Sequence, residues 1–254
     1  FSIVELPLLA LWPRAIARLD RGTVAGGALL SIPFYAGFIL QTSGLAETTS
    51  TVSAFITSLV VVVTPLLGRL FFGERPGRGV LLGGAVSLAG VYILTNPSGG
   101  LGRGEWLTLA CAVAFAFQIQ LTNVVTRRHS PEGVTFIQFA FATLASGATL
   151  WILGVSPGDL ALALGERHVA WTAVYTAVFC SVIAMGTLNR YQREITATRA
   201  AVLYTLEPVF AAGFAWFFQD EPMTPRKLAG GAVILAGNLA CEFLGRRPPA
   251  PEGS

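Results

Sequence analysis

Hydrophobic and polar positions along this chain separate into long apolar blocks and short polar connectors. A helix needs about 20 residues to cross the hydrocarbon core of a bilayer, and most blocks have that length. They cover 22–41, 48–72, 79–95 and 105–125, then 133–153, 169–189, 197–218 and 226–244, with a shorter block at 1–11. Breaker residues mark the connectors: Trp12-Pro13-Arg14, Arg75-Pro76-Gly77, Asn96-Pro97-Ser98-Gly99-Gly100, Ser156-Pro157-Gly158 and Glu221-Pro222. The pattern predicts an all-α polytopic membrane protein of nine helices, the first incomplete. It predicts disorder over 246–254, a stretch with three prolines.

Two of the blocks recur. Leu81–Gly90 reads LLGGAVSLAG and Leu228–Gly237 reads LAGGAVILAG, identical at eight of ten positions at an offset of 147. The same offset pairs Glu47 with Glu194, Thr49 with Thr196, Thr51 with Thr198, Ala54 with Ala201, Leu59 with Leu206, Phe71 with Phe218 and Glu74 with Glu221. Shifted in this way, block 105–125 has no partner in front of it. The chain also opens at Phe1, inside an apolar run, so the expectation is an N-terminal truncation that removes one helix. Two units of five follow, ten helices when complete. An odd unit length makes the two copies cross the membrane in opposite senses, the inverted-repeat plan of transporters with a central site. The expected division is 1–97 for the first repeat, 104–245 for the second and 246–254 for a cytoplasmic tail.

Composition narrows the class. Hydrophobic residues make up 53% of the chain and charged residues 12%, about half the charged share of a soluble domain. Mean hydropathy is +0.64, which excludes a soluble fold. A net charge of +3 and a pI near 9.0 would point to nucleic acid in a soluble protein. Here the basic residues sit at block ends and set orientation instead, so no nucleic-acid partner is expected. Alternating the connectors between two sides places thirteen basic residues on one side and Arg103, Arg167, Arg226 and Lys227 on the other. The positive-inside rule then puts the C-terminus in the cytoplasm. Cys111, Cys180 and Cys241 fall inside apolar blocks without metal-ligand spacing and read as small buried hydrophobes. His129 and His168 lie at block ends with no zinc pattern, and read as interfacial residues. No metal and no cofactor is expected.

The segment Gln41–Arg75, QTSGLAETTSTVSAFITSLVVVVTPLLGRLFFGER, resembles the first-repeat hallmark of EamA-type members of the drug/metabolite transporter superfamily. TATRAAVLYTLEPVFAAGFAWFFQDEPMTPRKLAGGAVILAG, Thr196–Gly237, resembles the second. The resemblance implies ten helices in two inverted five-helix repeats. It also implies export or exchange of small metabolites, amino acids and related compounds among them, across a bacterial inner membrane.

Candidate site residues are polar groups at membrane depth. Glu207 sits near the middle of block 197–218, where a charge costs roughly 2.5–3.5 kcal/mol on insertion scales. It binds a substrate amine or cycles a proton, or else it is protonated and bonds a neighbouring helix near Pro208. Tyr204 lies one turn earlier on the same face and is the repeat mate of Thr57. Ser50, Ser53, Thr57 and Thr64 form a hydroxyl stripe, either a polar path or packing hydrogen bonds worth about 0.6 kcal/mol each. Gln118, Gln120, Asn123 and Gln138 are intramembrane amides. Gln118 and Gln138 are candidate substrate ligands, with interhelical packing as the alternative. The glycines at 83, 84, 90, 230, 231 and 237 read as close helix packing.

The leading reading is thus a secondary transporter working by alternating access around Glu207, Tyr204, Thr57, Gln118 and Gln138. Its expected partners are a small-molecule substrate, the proton and the lipid bilayer, and it acts as a monomer or homodimer. A membrane-embedded enzyme and a non-transporting scaffold or receptor are the alternatives. An enzyme would need paired carboxylates, a Ser/His pair or a metal cluster at membrane depth, and the chain offers one clear mid-block carboxylate.

Overall fold

A computed structural model of the protein describes residues 13, 19–73, 78–95, 101–185, 187 and 197–244. The expected first helix at 1–11 and the tail at 246–254 lie outside the described residues. All regular elements among the described residues are helices. They are α1 (Arg21–Leu45), α2 (Ser50–Thr57), α3 (Val60–Phe72), α4 (Arg78–Thr95), α5 (Arg103–Val125), α6 (Pro131–Ile152), α7 (Pro157–Gly165), α8 (Arg167–Tyr175), α9 (Ala197–Phe218) and α10 (Pro225–Leu244). Arg21–Leu45, Ser50–Phe71, Arg103–Val125 and Pro131–Ile152 are long and apolar enough to cross a membrane, and Gly79–Thr95 and Leu206–Phe218 are shorter apolar helices. This is the polytopic all-α fold that the block pattern predicts.

Three helices begin at a hydroxyl residue followed by proline, a start signal that the block pattern passes over. The Ser130 hydroxyl accepts from Gly133 N at 3.3 Å ahead of Pro131, and Thr224 accepts from Lys227 N at 3.3 Å ahead of Pro225. In the third case Ser156-Pro157-Gly158, expected to be a connector, opens α7 instead. Ser156 and Asp159 form a full capping box there. Proline at the first helical position loses no hydrogen bond, and the preceding hydroxyl satisfies an orphan N–H. A second departure concerns block 169–189. Its α-helix ends at Tyr175, and a π-helical segment runs over Thr176–Met185. The Thr176 hydroxyl donates to the carbonyls of Thr172 at 2.8 Å and Ala173 at 3.2 Å, which competes with the α pattern at the junction.

The third departure matters most. Block 48–72 forms one span, Ser50–Phe71, as expected, but it tightens at Ser58–Leu59, between α2 and α3, where both residues keep right-handed helical dihedrals. Around this point the backbone shortens to i→i+3 bonds: Leu59 N to Ile56 O at 3.1 Å, Val61 N to Ser58 O at 3.2 Å and Val62 N to Leu59 O at 2.9 Å. Pro65 lies six residues on and removes the donor that Val61 O would otherwise use. The neighbouring helices supply what the tightening withdraws. Asn238 Nδ2 donates to Ser58 O at 3.2 Å and to Ser58 Oγ at 3.1 Å, and Asn238 Oδ1 accepts from Ser87 Oγ at 3.0 Å. The Cys241 thiol lies 3.8 Å from Val61 O, and Gln120 Nε2 donates to Thr64 O at 3.0 Å. Without water, such groups must find partners inside the protein.

The described residues form two compact units, Phe1–Tyr35 with Leu121–Glu194 and Ala36–Gln120 with Ile195–Ser254. In the first, Leu30, Val125 and Val134 form a buried cluster with Leu121 against it. Phe34 meets Phe139 edge-on at 5.3 Å, and the Tyr35 hydroxyl lies 2.7 Å from that of Thr149. In the second, Val52, Phe55, Ile56 and Leu59 pack with Val91, Leu94, Ala212 and Ile234. This core draws on α2, α4, α9 and α10.

Helices α4 and α10, which carry the recurring sequence, run antiparallel in direct backbone contact. A Cβ on Gly83 would sit 2.5 Å from Gly237 O, and one on Gly237 would sit 2.7 Å from Gly83 O. Similarly, a Cβ on Gly90 would sit 3.0 Å from Gly230 O. Gly237 is the counterpart of Gly90, and Gly230 of Gly83, so each glycine faces the mate of the other. Between them the Ser87 hydroxyl lies 3.4 Å from the carbonyl of Ile234, its own counterpart 147 residues on. A local twofold axis through this point is what inverted copies require.

Past the end of α9, Glu221 reaches the start of α2. Its Oε2 accepts from Thr51 N at 3.2 Å and its Oε1 from Lys227 Nζ at 2.7 Å, while the Ser50 hydroxyl donates to Gln219 Oε1 at 2.9 Å. Burial alone would raise this carboxyl, but the bonds from Lys227, Thr49 and Thr51 outweigh it and hold it below the ordinary carboxylate range.

Gly237→Ala is expected to force α4 and α10 apart at a cost of about 1–3 kcal/mol, seen as a lower thermal midpoint in detergent. Gly147→Ala, where nothing lies within 4 Å, should leave the midpoint unchanged. Asn238→Leu should cost a similar amount, about 1–3 kcal/mol, by removing its buried bonds to Ser58 and Ser87. The depressed Glu221 carboxyl stabilises the fold fully above the ordinary carboxylate range and ceases to do so as pH falls through its folded value. Acidification should therefore destabilise the wild type more than Glu221→Gln, measured as thermal midpoint against pH.

Candidate substrate site

Four of the five expected site residues belong to the second unit: Thr57 at the end of α2, Gln118 on α5, and Tyr204 and Glu207 on α9. Gln138 belongs to the first unit, fully buried on α6. The Tyr204 side chain lies outside the described residues.

Thr57 and Glu207 converge on Cys111. The Thr57 hydroxyl lies against the Cys111 thiol, and the Glu207 carboxyl is within electrostatic reach of the same sulfur. Cys111 itself is fully buried, as its apolar block predicts. Gln118, also buried, follows Cys111 by seven residues and so shares its face of α5. Nothing in the sequence marks Cys111 apart from the other two cysteines except this register with Gln118.

Glu207 is exposed on α9. Phe210, Phe214 and Phe217, each more than half exposed, follow Glu207 at offsets of 3, 7 and 10 and continue its face along α9. One carboxyl is therefore set at the head of a row of aromatic rings.

The hydroxyl stripe divides into two kinds. Thr64 donates to Val60 O at 2.7 Å, the usual way in which a helical hydroxyl is satisfied one turn back. Thr95, Thr108, Thr126, Thr135 and Ser146 do the same at 2.7–2.9 Å. Ser53 and Thr57 do not. The Ser53 hydroxyl is buried with no hydrogen-bond partner, the Thr57 hydroxyl meets the Cys111 thiol, and their spacing places them on one face of α2. The amide Gln120 is structural, bonded across to α3. Asn238 is a further intramembrane amide. Its position inside an apolar block is the same signal that singles out Gln118.

Comparison with known proteins agrees with this architecture. The EamA-like transporter family model matches residues 2–96 and 102–240. An uncharacterized transporter of Archaeoglobus fulgidus is 30% identical over 213 residues, covering 82% of this chain and 66% of that protein. A probable terminal-alkyne amino-acid exporter of Streptantibioticus cattleyicolor is 29% identical over 212 residues, covering 78% of this chain and 68% of that protein. One solved crystal structure superposes with a TM-score of 0.68 over 98% of this chain and 86% of its own, at 18% identity, and shows the fold alone. With matches over nearly its whole length, the chain belongs to the EamA-like transporter family.

Proposed function

We propose that the protein is a secondary transporter that exports or exchanges small metabolites by alternating access, with Glu207 as the principal cargo contact. The observation that carries this reading is the Glu207 carboxyl, a charge inside an apolar helix, at the head of the aromatic row on α9. A carboxyl inside an apolar membrane helix is a costly feature retained for binding or proton movement. Aromatic faces attract cations and cover apolar surface. Together they suit a molecule with an amine and an apolar body, such as an amino acid or a relative. The similarity to a probable amino-acid exporter supports the same class.

In this reading Thr57 and Gln118 orient the cargo's polar atoms, and Tyr204 joins them from the turn before Glu207. The repeats at 1–97 and 104–245 are the parts that move against each other. The membrane is the bacterial inner membrane with the C-terminus in the cytoplasm, as the distribution of arginine suggests. A proton is the candidate counter-ion at Glu207.

The test is efflux of a labelled amino-acid mixture from proteoliposomes holding the full-length protein, with and without a pH gradient, beside Glu207→Gln. Gradient-driven efflux is expected for the wild type, with a loss of at least about tenfold in the variant. Efflux that survives Glu207→Gln and ignores the gradient would make Glu207 structural and the protein a facilitator.

A further inference from the structure

The start of α2 is tied to later parts of the chain at one end of the second unit, and the ties are of two kinds. Toward α5, Glu47 Oε1 lies 3.0 Å from Arg103 Nη1, and the Thr48 hydroxyl donates to Glu105 Oε1 at 2.8 Å. The backbone is clamped there as well, since a Cβ on Gly104 would sit 3.0 Å from the carbonyl oxygens of both Gly44 and Glu47. Toward the α9–α10 connector the ties are polar and open to water: Ser50 to Gln219 at 2.9 Å and Thr51 N to Glu221 at 3.2 Å. Met223 rests on the edge of the core that holds Val52 and Phe55, and an unbranched thioether repacks readily.

Neither side needs the other to keep its local structure. Thr49 caps α2 by accepting from Val52 N at 3.4 Å, and Thr51 N is a first-turn donor that water can satisfy. Lys227 Nζ donates to Glu221 Oε1 at 2.7 Å and to Pro222 O at 3.2 Å, so a connector that swings away takes its counter-charge along. Asp220, between the two residues that reach α2, is left-handed at φ 51°, a conformation that a non-glycine residue keeps where its surroundings hold it.

One turn deeper, Ser53 shares the face of Ser50, and its hydroxyl is 2% exposed without a hydrogen-bond partner. Closure gains the bonds to Gln219 and Glu221, while opening would hydrate Ser53. These opposed terms are of one order, the condition for an element with two states.

We infer that connector 219–227 is a releasable strap that shuts this end of the second unit by closing on the start of α2. It is the outer end in the orientation proposed above. That the strap gates cargo rests on the transport reading; that it opens and closes does not.

The experiment follows labelling of Ser53→Cys by a membrane-impermeant methanethiosulfonate in proteoliposomes of the full-length protein, with the native cysteines alone as background. Adding Glu221→Ala should speed labelling by about tenfold or more. Adding Gln219→Ala, at an exposed position whose truncation spares the fold, should speed it in the same direction. If Glu221→Ala fails to fold, Gln219→Ala decides alone. Labelling at the unaltered rate in every folded variant would overturn the strap. A second assay joins Ser50→Cys to Gln219→Cys with a short, reducible bis-methanethiosulfonate and measures amino-acid efflux before and after reduction. Efflux that stops in the joined protein and returns on reduction is expected, and full efflux from the joined protein would overturn the gating role. Faster labelling in the variants, with no efflux from any form, would sustain the strap and sink the transport reading. Normal efflux with unchanged labelling would do the reverse.

Discussion

The architecture of the second unit depends on one side chain, the Asn238 amide, which reaches from α10 to the tightened turn after Thr57. Lipid supplies no hydrogen bonds, so a helix that departs from its regular pattern at membrane depth persists only when other protein groups take over the freed backbone. Asn238 gives two bonds to Ser58 and accepts one from Ser87, which seals the turn from a fully buried position. The helix can then tighten in mid-block. The last residue of α2, Thr57, is thereby fixed against Cys111, and the face carrying Ser53 is fixed with it.

That seal is possible because α4 and α10 approach backbone to backbone. The glycines remove the Cβ layer that would otherwise hold Ser87 and Asn238 away from their partners. The contact is symmetric, with each glycine opposite the mate of the other, yet the polar groups built on it are not. Asn238 corresponds to Val91 in the first copy, and Ser87 to Ile234 in the second. The two copies keep a common scaffold and differ in the polar groups they place on it.

The same division holds at the candidate site. Residues 57–60 correspond to 204–207, so Thr57 pairs with Tyr204 and Val60 with Glu207. The first copy tightens its helix at this level, with its carbonyls bonded. The second runs unbroken through Ala197–Phe218 despite Pro208 and places a carboxyl there instead. The two copies thus carry different chemistry at matching positions, hydroxyls in one and a carboxyl in the other.

Sequence determined the polytopic all-α class, the antiparallel relation of the duplicated helices and the glycine contact, because apolar block length, an odd repeat and small residues at helical spacing are local signals. It also placed Glu207, since a charge inside an apolar block is conspicuous wherever the helix turns. What only the tertiary structure decided is the tightening at Ser58–Leu59, because VSAFITSLVVVV carries no glycine or proline before Pro65 and reads as regular helix. The tightening exists through Asn238, 180 residues away. The helix starts at Ser130-Pro131 and Ser156-Pro157 were written in the sequence but lay among residues that also signal breaks. Which hydroxyls turn back to their own helix and which do not is decided by neighbouring helices, and for that reason Ser53 and Thr57 separate from Thr64 only in three dimensions.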